Sequence, residues 1–395
     1  MGTTERSLRL VSICPYPVLP AIAGGSVRIV KLAAALAQQG IDVTLVTPYH
    51  ATQAQQQLDQ LPFRLVQVRY PFVMSRFFLE RPFPYQYCTS FHPGLSQLLR
   101  QHLAAADIVQ FEQVPFARVA AQLPRSLPVV YASQNVEYDY TRAECSSNWV
   151  AKLVGQRISK LERCLIEQSH HLLAVTANDC ERFTALYGAD PAAMTIAPNG
   201  IDAPGRRQFD DRLALERFPG LAAFARRGLY SGSNSAHNRV AVEFLLQQVA
   251  PQRPDVAFVI LGGCGSRYVS ECRLPNVFFD SDLDRFDVYS APGFLGLNTV
   301  TTGAGSNLKL LHYVSRGMPV ITTPFGLRGF EDLTPYVTVC PPEHLAEAFD
   351  IEECSAIPPA ILHKYEWSTI AGQIAQLYRR LASPSSPPVA TSSPR

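Results

Sequence analysis

The chain has 395 residues, a length that holds two domains or three at roughly 100 to 200 residues each. Lys and Arg number 35 against 33 Asp and Glu, a net charge of +2, so no global basic field marks a dedicated nucleic-acid binder. Hydrophobic residues at 47% and charged residues at 17% exclude wholesale disorder and describe a globular protein.

The apolar run Leu8 to Cys14 is too short and wrongly flanked for a signal peptide or an anchor. Arg6 stands where a myristoylation signal after Gly2 needs Ser or Thr, so the expected location is the cytoplasm. That run reads as a buried strand, followed by a Pro and Gly loop, a helical pattern from Ser26 to Gln39 ending at Gly40, and a second strand over Asp42 to Val46. Strand, helix and strand in about forty residues form a βαβ unit with a parallel sheet.

Further strands are expected at Leu65 to Val68, Ile108 to Phe111, Val129 to Ala132, Leu172 to Val175 and Thr195 to Ala197, with a helix over Trp149 to Gln168. Pro198-Asn199-Gly200 is a turn, and an irregular stretch runs from Ala203 to Arg227. A second series follows at Leu229 to Ser231, Val256 to Leu261, Val277 to Phe279, Phe294 to Leu297, Pro319 to Thr322 and Val337 to Val339. The expected fold is α/β with two Rossmann-like, doubly wound domains, at 1–205 and 206–365. A helix over 366–382 can pack back across the first domain, and the Ser- and Pro-rich tail 383–395 is too poor in apolar groups to order itself.

In open α/β sheets ligands bind beyond the carboxyl ends of strands. Two glycine-bearing loops precede helices there: Gly24-Gly25-Ser26-Val27-Arg28, where Ser26 can cap the helix, and Gly303-Ala304-Gly305-Ser306-Asn307-Leu308-Lys309. Each puts a cation in a first helical turn, which the macrodipole disfavours by about 0.3 to 1 kcal/mol unless an anion is present. A phosphate on the helix N–H groups, with Lys309 or Arg28 as counter-charge, is one reading, and a long basic side chain reaching into water is the other. Dinucleotide chemistry is disfavoured: neither Gly24-Gly25 nor Gly262-Gly263-Cys264-Gly265 continues as Gly-x-Gly-x-x-Gly, and no acidic residue ends the second strand.

Pro15-Tyr16-Pro17 through Gly24-Gly25 and Arg28 resembles the opening of glycosyltransferase family 4, a GT-B fold. The likeness extends through Pro198-Asn199-Gly200-Ile201-Asp202 and Ser231-Gly232-Ser233 with His237 and Asn238. It ends in Gly305-Ser306-Asn307-Leu308-Lys309-Leu310-Leu311-His312-Tyr313 with Gly317-Met318-Pro319. The resemblance implies two domains facing across a cleft and transfer of a sugar, with retention, from a nucleoside diphosphate sugar to a glycan, lipid-linked or small-molecule hydroxyl acceptor. It implies no required metal or cofactor. It places Gly24, Gly25, Arg28, Ser233, His237, Gly305, Ser306, Asn307, Leu308 and His312 around the donor and Lys309 and Gln134 in catalytic positions, Lys309 stabilising the departing diphosphate; Glu137, after the strand Val129 to Ala132, is a third catalytic candidate from its own position.

Three positions depart from the family pattern. Ala304 and His312 stand where relatives carry glutamates, and Gln134 stands where many carry His beside the Asn. His312 can meet the donor ribose or be a satisfied core histidine. Gln134 can hydrogen-bond a sugar but cannot shuttle a proton. Glu137 can contact sugar or acceptor, cap the next helix or pair with Arg142, and Glu112 has the same options. The aromatic run Tyr70 to Tyr87 is either core or an acceptor lid, with shallow membrane contact as a further use. His170-His171 lacks further ligand-like neighbours, and nine scattered cysteines with no Cys-x-x-Cys suggest neither a disulfide framework nor a zinc site. The competing functions are a sugar-nucleotide binder without turnover, motivated by Ala304, His312 and Gln134, and a sugar-nucleotide epimerase.

Overall fold

The computed structural model describes residues 6–19, 21, 24–48, 58, 60–68, 99, 101–144, 148–203, 211–303, 306–350 and 356–383, with side chains omitted over 143–153. The chain divides into two units, Met1–Pro198 with Trp367–Arg395, and Asn199–Glu366.

The first unit is a seven-stranded sheet in the order β3-β2-β1-β4-β5-β6-β7, parallel throughout. Its strands are β1 (Arg9–Ile13), β2 (Asp42–Pro48), β3 (Arg64–Val68), β4 (Ile108–Phe111), β5 (Val129–Ala132), β6 (His171–Ala174) and β7 (Met194–Ile196). A parallel sheet must be covered on both faces, which is why these strands read as continuous apolar runs. Alternation divides them between two cores: Val129 and Tyr131 face one, Val130 and Ala132 the other. Its longer helices before residue 200 are α1 (Gly24–Gln38), α2 (Glu137–Glu144), α3 (Asn148–Gln168) and α4 (Ala177–Tyr187). Helix α4 opens on a capping box between Thr176 and Asp179 and ends at left-handed Gly188, so it is fixed at both ends by local sequence.

The second unit is a six-stranded parallel sheet in the order β10-β9-β8-β11-β12-β13. It comprises β8 (Arg226–Ser231), β9 (Val256–Leu261), β10 (Val277–Asp280), β11 (Phe294–Asn298), β12 (Val320–Thr322) and β13 (Thr338–Val339), with α5 (Ala236–Phe244) and α6 (Leu308–Ser315) bearing on the site. Here too β9 splits by alternation, Ala257, Val259 and Leu261 into one core and Val256, Phe258 and Ile260 into the other. The start of β8 at Arg226 lies three residues before the expected one, because Arg226 and Arg227 pair with Val256 and Ala257 despite their charge. Their guanidinium groups reach Asp350 and Asp211.

The last helix, α7 (Trp367–Ala382), belongs to the first unit. Trp367, Ile370, Ala371, Ile374, Ala375, Leu377 and Tyr378 fall on one stripe and are buried with Ile29, Leu32 and Leu36 of α1. The Tyr378 hydroxyl donates to Gln110 Oε1 beneath them. Among the described residues no helix is long and apolar enough to cross a membrane. The Tyr70 to Tyr87 run and residues 384–395 lie outside the described residues.

Candidate functional site

In the second unit, Lys309 lies in the first turn of α6, one residue past the helix start. Its ammonium donates to Tyr230 Oη at 2.9 Å and Asn238 Oδ1 at 2.7 Å, and sits 4.0 Å from the Tyr230 ring centroid. Tyr230 comes from β8 and Asn238 from α5, and the Tyr230 hydroxyl donates in turn to Asn238 Oδ1 at 2.9 Å. No carboxylate pairs with Lys309 among the described residues, and burial pushes its pKa down to about 7. Removing a cation from water without pairing it is unfavourable, and an arriving anion would offset that.

The sequence builds this corner through close packing. A Cβ at Gly296 on β11 would lie 2.4 Å from Tyr313 Cγ, so the glycine lets α6 settle onto the sheet. The Tyr313 hydroxyl then accepts from Ser231 N at 3.0 Å, joining α6 to the end of β8. Asn307 ends the loop in extended conformation and makes no side-chain cap. Asn199 Nδ2 donates to Ser306 Oγ at 3.1 Å, tying the loop to the turn at 199.

Ser233 lies in the loop after β8, its carbonyl accepting from Asn238 Nδ2 at 3.0 Å. His237 shares a 3.1 Å hydrogen bond with Ser235 Oγ, and a Cβ on Gly303 would sit 3.5 Å from its Cβ, so it borders the start of the glycine loop. Leu308 and His312 are half-buried on α6, His312 packing edge-on at 5.8 Å against Phe286. Ala304 and Gly305 lie outside the described residues. Asn298 and Thr299, at the end of β11 and outside the motifs, have a buried Oδ1 and Oγ1 with no hydrogen-bond partner among the described residues. Their signal is two polar residues closing an apolar strand.

In the first unit, α1 begins at Gly24, so Ser26 is inside the first turn rather than capping it. Neither Gly24 nor Gly25 has a positive φ. Gly25 instead permits close approach: a Cβ there would lie 2.4 Å from Gln134 Oε1 and 2.8 Å from Tyr16 Oη, whereas one on Gly24 would meet nothing within 4 Å. Gln134 Oε1 accepts from Tyr16 Oη at 3.1 Å, and its buried Nε2 has no hydrogen-bond partner among the described residues. Thus Gly25 in the first turn of α1, Tyr16 in the β1–α1 loop and Gln134 in the β5–α2 loop meet at one point.

Arg28 does not lie in water. It is 3% exposed and donates to Ala197 O at 2.6 Å and Pro198 O at 2.7 Å, where the chain leaves β7. Burial lowers its pKa to about 10, the Glu112 carboxylate opposing that shift. Glu112 is itself buried, accepts from Ser12 Oγ at 2.6 Å and from Gln110 Nε2, and has its pKa raised by burial. Glu137 is fully buried as the first residue of α2. His171 is bonded to Thr195 Oγ1 at 2.8 Å, with its pKa pushed down to about 4 by burial. Among the described residues no group of His, Cys, Asp and Glu could hold a metal ion.

Two parallel Rossmann-like sheets of seven and six strands define the GT-B class of glycosyltransferase folds. Residues 22–203 match the family model described as Glycosyltransferase Family 4, the part of the chain that holds the Gly24-Gly25 and Pro198-Asn199-Gly200 motifs, and the fold of the whole chain is GT-B. Solved structures agree at the level of fold. Sucrose-phosphate synthase from Thermosynechococcus elongatus superposes with a TM-score of 0.70 at 15% identity, covering 95% of this chain and 99% of that one. Anabaena Alr3699/HepE in complex with UDP and glucose does so with 0.69 at 15% identity over 94% and 100%. WaaG, a glycosyltransferase involved in lipopolysaccharide biosynthesis, gives 0.62 at 17% identity over 94% and 98%. No curated protein sequence matches the chain.

Proposed function

We propose that the protein transfers a sugar from a nucleoside diphosphate sugar to a hydroxyl acceptor, with retention of anomeric configuration and without a bound metal. The observation that carries this reading is Lys309: a half-buried side chain in the first turn of α6 whose ammonium is held by two neutral oxygens and by no carboxylate among the described residues. A diphosphate at that helix start would supply the missing anion, and the same fixed cation would stabilise the leaving group as charge develops on it. The UDP and UDP-glucose complexes of Anabaena Alr3699/HepE support the donor class. Gln134 and Glu137 act on the sugar side, Gln134 through its amide N–H rather than by proton transfer.

The direct test is a thermal-shift panel of nucleoside diphosphates on wild type, Lys309→Ala and Lys31→Ala. We expect the shift to survive in Lys31→Ala and to fall by most of its size in Lys309→Ala; equal responses would refute the phosphate assignment. Release of nucleoside diphosphate from nucleotide sugars then separates a transferase from a binder without turnover, and the anomer of the product, read by NMR, decides retention.

A further inference from the structure

Glu162 lies on α3, is fully buried, and is held by four donors from three other elements. Its Oε1 accepts from Glu137 N at 2.9 Å and Tyr131 Oη at 3.1 Å, and its Oε2 from Tyr138 N at 3.2 Å and Tyr187 Oη at 2.6 Å. Glu137 and Tyr138 open α2, whose first N–H groups have no acceptor inside the helix. A local cap at the preceding residue would ordinarily satisfy them, but that residue is Val136, which has no oxygen to offer. The acceptor arrives instead from another helix, through a carboxylate whose burial is costly. A tie of this kind fixes the first turn of α2 in three dimensions relative to β5 and α4, which a cap on the same chain segment cannot do.

The segment it fixes is the one that runs from the end of β5 through Ser133, Gln134 and Asn135 to Glu137. We propose that Glu162 is a positioning residue for sugar transfer, gripping the start of α2 so that Gln134 and Glu137 are held in working geometry. This rests on the reading of those two residues given above.

The grip depends on the carboxylate being ionised. Protonated, Glu162 would donate one O–H, for which Tyr187 Oη is nearest, and Tyr138 N–H would lose its charged acceptor. Burial is the largest influence on this carboxyl and pushes its pKa up to about 7 against the four donors. The groups facing it are Tyr131 from β5, Glu137 and Tyr138 from α2, and Tyr187 from α4. Asp139 on α2 is paired with Arg182 of α4 at 2.7 Å, and Arg163 of α3 lies over the Tyr187 ring. While the carboxyl stays buried its four donors favour the ionised form, so within the folded protein the hold on α2 tightens as pH rises through neutrality, even as the buried charge lowers stability against the unfolded chain.

Glu162→Gln keeps the size of the side chain and removes the charge. With UDP-glucose as donor and UDP release as the readout, we expect kcat to fall about tenfold, the donor KM to stay within about twofold, and the rise in kcat through neutral pH to disappear. Amide hydrogen exchange supplies an arm that needs no activity: the Glu137 and Tyr138 amides should lose about tenfold in protection in Glu162→Gln while β5 amides keep theirs. If the variant does not fold, the wild-type amides decide, since their protection factors should rise between pH 6 and 8. Unchanged protection overturns the tie, and lost protection with wild-type kcat overturns the positioning role. Wild type that turns over no nucleotide sugar instead removes the function reading and with it the positioning claim, while the exchange arm still reports whether the tie exists.

Discussion

Lys309, half-buried, and Glu162, fully buried, are two charges whose surroundings push them toward neutrality from opposite sides. For Lys309 the folded pKa of about 7 lies below the ordinary 10.5, so at pH 8 most of the free protein carries a neutral amine. A diphosphate that binds the ammonium must therefore bring a proton with it. Calorimetry of UDP binding at pH 8, in buffers of differing ionisation enthalpy, should show uptake approaching one proton per site, and Lys309→Met should abolish it. Affinity should weaken from pH 7 to 9 by up to about tenfold per unit. Gly25 is the other decisive residue. Gly25→Ala favours the helix by about 0.5 to 1 kcal/mol in propensity, yet drives a methyl into Gln134 Oε1 and Tyr16 Oη. Those are side-chain ends that can move, so the thermal midpoint should change little while kcat drops about tenfold or more, measured as nucleoside diphosphate release.

At the level of elements, the sheet strands were legible because a parallel sheet buried on both faces demands continuous apolar runs, and Val129 to Ala132 or Val256 to Leu261 have no other use. Boundaries were less so. The β8 start at Arg226 was hidden because its arginines read as polar, while their partners Asp350 and Asp211 lie outside the strand's own stretch of sequence. Helix α7 shows the reverse case: its stripe predicted an amphipathic helix, and its partner α1 is set by the tertiary fold. Ile374 is 1% exposed there, so Ile374→Ala should cost about 2 to 5 kcal/mol, whereas Gln376→Ala on the solvent face should stay within about 0.5 kcal/mol, both read from urea unfolding.

For the whole molecule, the two charges shape stability against pH. Glu162 has a folded pKa raised to about 7 above the ordinary 4.5, so its contribution is full below pH 4.5 and is lost as pH rises to about 7. Lys309 has a folded pKa lowered to about 7, so its penalty is full below pH 7 and is relieved as pH rises toward 10.5. Together they predict a dip in stability near neutrality, each limb on the order of 1 kcal/mol or more. Glu162→Gln should flatten the acid limb and Lys309→Met the alkaline limb of unfolding midpoints measured from pH 5 to 9, while saturating UDP should fill the dip. A profile with no dip in wild type would mean that these charges are compensated in the folded protein.

The near balance of 35 basic and 33 acidic residues, the paired series of apolar runs and the glycine loops before Arg28 and Lys309 determined, by sequence alone, a two-domain α/β protein with family 4 motifs. Periodicity and turn chemistry are local, so they survive in one dimension. Tertiary structure decided what each marked side chain touches. The two cations that the sequence puts in first helical turns part company: α1 starts at Gly24, so Arg28 falls in its second turn and is spent on the carbonyls of Ala197 and Pro198, whereas Lys309 is the second residue of α6 and meets Tyr230 and Asn238. Glu162 carried no sequence signal, because the four donors that give it meaning come from Tyr131, Glu137, Tyr138 and Tyr187 and meet only when β5, α2, α3 and α4 pack. Burial and partner geometry are properties of the folded chain, and they set the charge state on which the proposed chemistry depends.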